Sequence, residues 1–362
     1  MKTDRLSPLT HAPIQFHFRQ TPADFTVSEI PLYPFSGEGE HLVATVRKKG
    51  LGTWELVEIL SAHLGIRARD IGYAGLKDKH AMTVQHLSLP ASAEAALARF
   101  SHPDIKILDT IRHRNKIRMG HLKGNRFFIR LKKVSPTDAL KLDEALGWIA
   151  ANGMPNYFGY QRFGKNGRNY EDAEAMLAGK LKIRNRRMRD FLLSAYQSHY
   201  FNLWLSRRVE IGRLFRGLDV RELVQVFAWE KRLVQNLKAQ PHFFKILPGE
   251  LMEHYPFGKL FFAEDTAAEA LRFSQKDLSP TGPLSGKKLK RAVGLAGETE
   301  KDFIRTIPAP GGRRYGWVWP EGLRGVYKKE SWHYELSFTL PKGSYATVLR
   351  ETAANRPMVD PC

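Results

Sequence analysis

One stretch of the sequence gathers groups that can do chemistry: Gly72-Tyr-Ala-Gly-Leu-Lys-Asp-Lys-His-Ala-Met-Thr-Val-Gln85. Two glycines lead to Asp78, which stands between Lys77 and Lys79 with His80 next. A turn at that point presents one carboxylate among cations. Flanking positive charge lowers a carboxylate pKa and keeps it ionised. An ionised Asp in a formed pocket can act as a nucleophile. By pattern alone, an Asp between lysines is more often solvated loop than site.

Other reactive constellations fail. The sequence holds no HExxH, no GxSxG and no GxGxxG. Thr281 to Lys288, TGPLSGKK, is one residue short of a phosphate loop and has Lys where Ser or Thr should follow. The 13 histidines show no metal-ligand spacing. The single cysteine, Cys362, forms no internal disulfide and fits a reducing compartment. The N-terminal stretch lacks the apolar segment of a signal peptide, and no apolar run approaches the ~20 residues that span a bilayer. A cytoplasmic protein with no membrane association is expected.

Charge narrows the partner. Fifty-seven Lys and Arg stand against 37 Asp and Glu, a net charge of +20. Such an excess favours a polyanion, nucleic acid first. The basic residues cluster at Arg112–Arg118, Lys182–Arg189 and Gly286–Arg291, and no acids within these runs match them. Aromatics interleave with cations at Tyr157, Phe158, Tyr160 and Phe163, around Arg162 and Lys165. RNA is read through unstacked bases that stack on aromatics and Arg planes, although most aromatics in a chain of this size must serve the core.

The elements that would position these groups follow from periodicity. Gln15 to Ile30 reads as strand, turn, strand, and His41 to Val46 as a further strand. Leu56, Leu60 and Leu64 recur at four-residue spacing, so Thr53 to Leu64 is a helix that Gly65 ends. Asn125 to Leu131 is a strand with Phe127, Ile129 and Leu131 on one face. Residues 137–151 look helical. From Tyr170 to Leu237 the chain is mostly helical, with Met188 to Val209 as one long helix. Trp332 to Leu340 alternates as a strand. Strands from both chain ends flank a helical middle, the pattern of an α+β fold with an inserted domain. A length of 362 residues accommodates two domains.

Five segments then carry a resemblance. GYAGLKDKHAMTVQ (Gly72–Gln85) resembles the signature of the TruD family of tRNA pseudouridine synthases. Thr21-Pro-Ala-Asp-Phe-Thr-Val-Ser-Glu29 resembles that family's PxDFxVxE segment, and Gly124-Asn-Arg-Phe-Phe its GNxF motif. Pro155-Asn-Tyr-Phe-Gly-Tyr-Gln-Arg-Phe-Gly164 resembles PNYFGxQRFG, and Leu340-Pro-Lys-Gly-Ser-Tyr-Ala-Thr347 resembles LPxGS(F/Y)AT. All five occur in family order.

The resemblance implies a mixed β-sheet catalytic domain made of residues 1–154 and 310–362, with a mainly helical α/β domain inserted over 155–309. It implies Asp78 as the nucleophile and Phe127 as the ring that stacks on the target base. Asn125 matches a polar pocket residue and Phe25 an aromatic near the site. Tyr345 falls where the family often has Phe, keeping the ring and adding a hydroxyl. The implied activity is isomerisation of a uridine in tRNA, uridine 13 in bacterial members, to pseudouridine. Nothing is oxidised and no net bond energy is consumed, so no cofactor or metal is expected, nor an obligate protein partner. Attack at C1′, attack at C6 and a glycal route all remain open. Two rival readings share the charge: a non-catalytic RNA-binding protein, which needs no carboxylate between Lys77 and Lys79, and a nuclease, which needs metal.

Overall fold

The computed structural model describes residues 5–19, 21–77, 79–164 and 166–357. The chain forms two compact units. One joins Gln15–Asp143 with Pro320–Gly343; the other joins the segment ending at Ile14, Glu144–Trp319, and the segment starting at Ser344. These units are defined by packing and the expected domains by motif position, and the two divisions cut the chain at different residues.

The first unit is built on a mixed sheet with strands β1 (Phe25–Pro31), β2 (His41–Lys48), β3 (Gly72–Tyr73), β4 (Met82–Pro90), β5 (Ile105–His113), β6 (Leu122–Lys132), β7 (Glu321–Lys328) and β8 (His333–Pro341). Their order is β7-β8-β6-β1-β4-β2-β5, with β3 on β4. Strands from both ends of the sequence therefore share one sheet, as the α+β expectation requires. Among the described residues of this sheet, β1 and β4 run parallel and the other strand neighbours run antiparallel. The expected strand over residues 15–20 does not form: the described part of that segment makes a single bridge, His17 to Lys132. Pro22 follows within a turn that closes on Thr21, whose carbonyl accepts from Phe25.

Helix α1 spans Thr53–Leu64, as its leucine spacing predicts, and ends in Gly65 at φ 64°, a left-handed position glycine takes without steric cost. Its Leu56, Leu60 and Leu64 bury against Leu42, Ala44, Val46, Leu87 and Leu89 of β2 and β4. Helix α2 (Pro136–Asn152) begins in this unit, where the Tyr334 hydroxyl of β8 donates to Asp143.

The second unit is organised around helix α3 (Arg186–Gly217), which extends beyond the Met188–Val209 read from the sequence. Its Phe201, Trp204, Leu205 and Val209 pack with Phe244, Met252, Leu278, Phe273, Trp317 and Trp319. A four-stranded sheet orders Gly312–Tyr315, Leu278–Leu284, Leu251–His254 and Leu260–Phe262. Two buried guanidinium groups are paired, Arg208 with Glu250 at 2.7 Å and Arg313 with Glu300 at 2.8 Å. Helix α4 (Ala346–Ala354) closes the described chain. Among the described residues no helix is long and apolar enough to cross a membrane.

Candidate active site

Register decides which side chains share a face. β1 and β6 pair Phe25 with Ile129, Val27 with Phe127 and Glu29 with Asn125. β6 and β8 pair Phe127 with Phe338 and Asn125 with Leu340. β1 and β4 pair Val27 with Thr83. Because side chains alternate, Phe25, Glu29, Asn125, Phe127 and Phe338 project from the same side of the sheet. Three of the expected site residues, Phe25, Asn125 and Phe127, are thus brought together.

The rings form a ladder. Phe18 meets Phe25 edge-on at 6.2 Å, Phe25 and Phe127 lie 6.3 Å apart and nearly parallel, and Phe127 and Phe338 lie 5.3 Å apart. Phe25 and Phe127 are each 7% exposed, so both belong to the core as well as to this face. Asn125 is half-buried, and its Oδ1 has no hydrogen-bond partner among the described residues.

Asp78 lies outside the described residues. Its sequence neighbour Lys77 is held in two ways. The Lys77 backbone N–H donates to Thr53 Oγ1 at 2.8 Å, and the Thr53 hydroxyl donates to Gln85 Oε1 at 3.1 Å. The Lys77 ammonium donates to Glu29 Oε1 at 2.7 Å, with the two side chains 7% and 1% exposed. The other Glu29 oxygen accepts the His86 backbone N–H at 3.0 Å, just beyond the last β1–β4 pair, Ser28 with Val84. Burial alone would push the Glu29 carboxyl up, but the His86 hydrogen bonds and the Lys77 charge outweigh it and hold the group below its ordinary value. Removing one partner of such a buried pair typically costs about 3–5 kcal/mol.

Glu29, Thr53 and Gln85 carry no role in the sequence reading. Glu29 left a signal: an acid at an inward strand position, after Phe25 and Val27, must find a cation or stay protonated. Gln85 left a weaker one, a polar residue at an inward position of β4. Thr53 left none, because the first residue of a helix is ordinarily a solvent-facing place for Thr.

Tyr345 belongs to the other unit. It is half-buried at the start of α4, its ring 6.0 Å from Phe158. Around it the PNYFG and GSYAT segments interlock. Ser344 donates to Asn156 Oδ1 at 2.9 Å, and the Arg314 guanidinium lies 4.0 Å over Phe158. A Cβ on Gly159 would stand 2.7 Å from Thr347 Oγ1 and 2.9 Å from the Tyr345 ring, so this approach requires glycine. Tyr157, Phe158 and Phe163, the aromatics that interleave with cations in the sequence, are buried in this core. They are packing residues, not free stacking platforms.

The basic clusters divide. Arg112 pairs with Glu94 and Arg114 with Glu38, acids distant in sequence, so the first cluster is partly neutralised, contrary to the sequence reading. Lys182, Arg184, Arg186, Arg187 and Arg189 are all exposed and form no ion pair among the described residues, and Lys287, Lys288, Lys290 and Arg291 are likewise exposed. No three His, Cys, Asp or Glu side chains among the described residues gather so as to hold a metal ion.

A family model described as tRNA pseudouridine synthase D (TruD) matches residues 8–183 and 168–352. The chain is 54% identical over 356 residues to a tRNA pseudouridine synthase D of Sulfurimonas denitrificans, covering 98% of this chain and 100% of that one. A Wolinella succinogenes protein of the same name is 54% identical over 357 residues, covering 98% of each. Among solved structures, the crystal structure of a Methanosarcina mazei protein assigned to tRNA pseudouridine synthase D matches with a TM-score of 0.71, over 98% of this chain and 96% of that one. At 21% identity that likeness speaks to the fold.

Proposed function

The chain belongs to the tRNA pseudouridine synthase D (TruD) family, and on that premise we propose that it isomerises uridine 13 of tRNA with the Asp78 carboxylate as nucleophile. Membership makes it an isomerase that converts uridine in tRNA to pseudouridine. The finer assignments of position, nucleophile and pocket are our own.

The observation that supports the pocket and the nucleophile is the convergence on one sheet face of Phe25, Phe127 and Asn125 with Glu29, which anchors the residue preceding Asp78 in the sequence; the position is what the family resemblance implies. The target nucleotide would be flipped out of the RNA, at least cost where it is already unpaired. Asp78 attacks C1′ or C6, or supports a glycal route. The N1–C1′ bond breaks, uracil turns, C5 bonds to C1′, any bond formed to the Asp78 carboxylate breaks to release it, and the proton lost from C5 is matched by one gained at N1. Phe25 and Phe127 bind the nucleotide through their rings, and Tyr345 is a substrate-binding residue of the other unit. Asn125 Oδ1, an acceptor without a partner among the described residues, suits the N3–H of uracil.

The catalytic portion comprises residues 1–154 and 310–362 with 155–309 as the insertion. The exposed cations at Lys182–Arg189 and Lys287–Arg291 hold the tRNA backbone. The reaction needs no cofactor, metal or obligate protein partner, and its place is the cytoplasm. Incubating the protein with unmodified tRNA in EDTA, then mapping pseudouridine, tests this reading. Pseudouridine at position 13 alone is expected. Modification at another uridine removes the position assignment, and intact unmodified RNA or metal-dependent cleavage overturns the synthase assignment itself.

A further inference from the structure

The loop between β3 and β4 exposes Leu76, Lys79 and His80 yet buries Lys77 among them. A surface loop has no packing need to bury a lysine. An ammonium withdrawn from water costs free energy unless it is paired, and a leucine or methionine at 77 would anchor the loop without that cost. What the charged side chain adds is direction: Nζ is fixed on Glu29 Oε1 at 2.7 Å. Glu29 itself is fixed by the His86 N–H on its second oxygen. The backbone of the same residue is fixed separately, by the Thr53 hydroxyl, which Gln85 orients in turn. Lys77 is therefore clamped at both ends, from strand β1 and from the first residue of α1.

We propose that Thr53 and Glu29 are positioning residues of the synthase reaction, acting through the clamp they place on Lys77, the residue that precedes the nucleophile in the sequence. The proposal rests on Asp78 as nucleophile. Consecutive Cα atoms are ~3.8 Å apart across a trans peptide, so a shift of residue 77 passes directly to the residue joined to it. A misplacement of about 1 Å in a reacting group can cost about a hundredfold in rate.

Two changes remove the clamps while limiting loss of fold. Thr53→Val keeps the shape and deletes the hydroxyl, with Thr53→Ser as the conservative rescue. Glu29→Gln with Lys77→Met removes both charges together and leaves no uncompensated ion. Each full-length variant is assayed for single-turnover pseudouridine formation, tRNA affinity and melting temperature, beside Asp78→Asn.

The expected result is a rate constant lowered about tenfold to a hundredfold in Thr53→Val and in the double variant. Affinity for tRNA stays at the parental value, and most of the rate returns in Thr53→Ser. Parental rates per folded molecule in both Thr53→Val and the double variant, with Asp78→Asn inactive, overturn the positioning role and leave the nucleophile standing. Activity lost only in proportion to folded protein has the same meaning. An active Asp78→Asn overturns the nucleophile reading and this proposal with it.

Discussion

Phe25 and Phe127 lie on adjacent antiparallel strands with their ring planes 11° from parallel and their centroids 6.3 Å apart, while Phe338 continues the row from the other side of Phe127. The middle ring is thus held flat between two others. That packing fixes the ring in one orientation, and whether the ring also meets a base is a matter for substitution. Phe127→Leu keeps an apolar side chain of similar volume, so it should cost stability by about 1 kcal/mol. Base–ring stacking is worth about 1–3 kcal/mol, so turnover per folded molecule should fall about tenfold or more. Unchanged turnover per folded molecule alongside a lowered melting temperature would assign Phe127 to the core alone.

Asp78 is tested by its near-isostere. Asn keeps the size and a loop hydrogen bond but is a very poor nucleophile. Asp78→Asn should fold, bind tRNA at least as tightly as the parent and form no detectable pseudouridine. Binding gains slightly if a negative charge near phosphates is removed. Lys79→Met should lower activity by a modest factor only. Pseudouridine formed by pure Asp78→Asn would remove Asp78 from the nucleophile role.

Several of these relationships were legible in the sequence because they are local. The leucine spacing of α1 and the alternation of β6 and β8 name their buried faces directly. The family motifs point to Phe25, Asn125 and Phe127, and the strand register brings those three to one face. What stayed hidden is pairing between distant segments. Nothing near Lys77 says that its partner is 48 residues earlier at Glu29, or that its amide meets Thr53. Arg112 and Arg114 look unmatched because Glu94 and Glu38 lie far away in sequence. The Tyr157–Phe163 segment reads as an accessible aromatic patch for the same reason. Its buried surroundings come from α3 and from Trp317 and Trp319, far along the chain.

The cluster at the start of α3 is a second test of binding. Asn185 caps the helix by accepting the Met188 N–H at 3.1 Å, and Arg186, Arg187 and Arg189 then fill its first turn, with no acidic residue there. Cations at a helix N-terminus oppose the helix dipole. Their placement is unfavourable for the helix and so points to an anionic partner. Replacing Arg184, Arg186, Arg187 and Arg189 with Ala should leave the melting temperature unchanged or slightly raised. It should weaken tRNA binding and flatten the dependence of log Kd on log salt by about one unit for each phosphate no longer neutralised. An unchanged salt slope would make this cluster solvated surface.

The buried His242 sets a pH dependence of stability. Its ring accepts the Phe244 N–H on Nδ1 at 3.0 Å, which leaves Nε2 to donate to the Asn152 carbonyl at 2.7 Å. Both hydrogen bonds suit the neutral imidazole, and protonating Nδ1 would break the first. Burial, chiefly, pushes the group down from 6.5 to about 4. With the folded value lowered, the unfolded chain binds more protons between those two values, so stability falls as pH drops from about 6.5 towards 4. By pH 5 the loss from this one ring is about 2 kcal/mol. His199, also pushed down to about 4 by burial, adds in the same direction. Urea unfolding of the parent between pH 7.5 and 5 should show this decline. His242→Gln, which retains a donor and an acceptor but does not titrate, should be less stable at neutral pH and flatter across the range. Parallel pH profiles for parent and variant would mean that His242 is not held neutral by its surroundings.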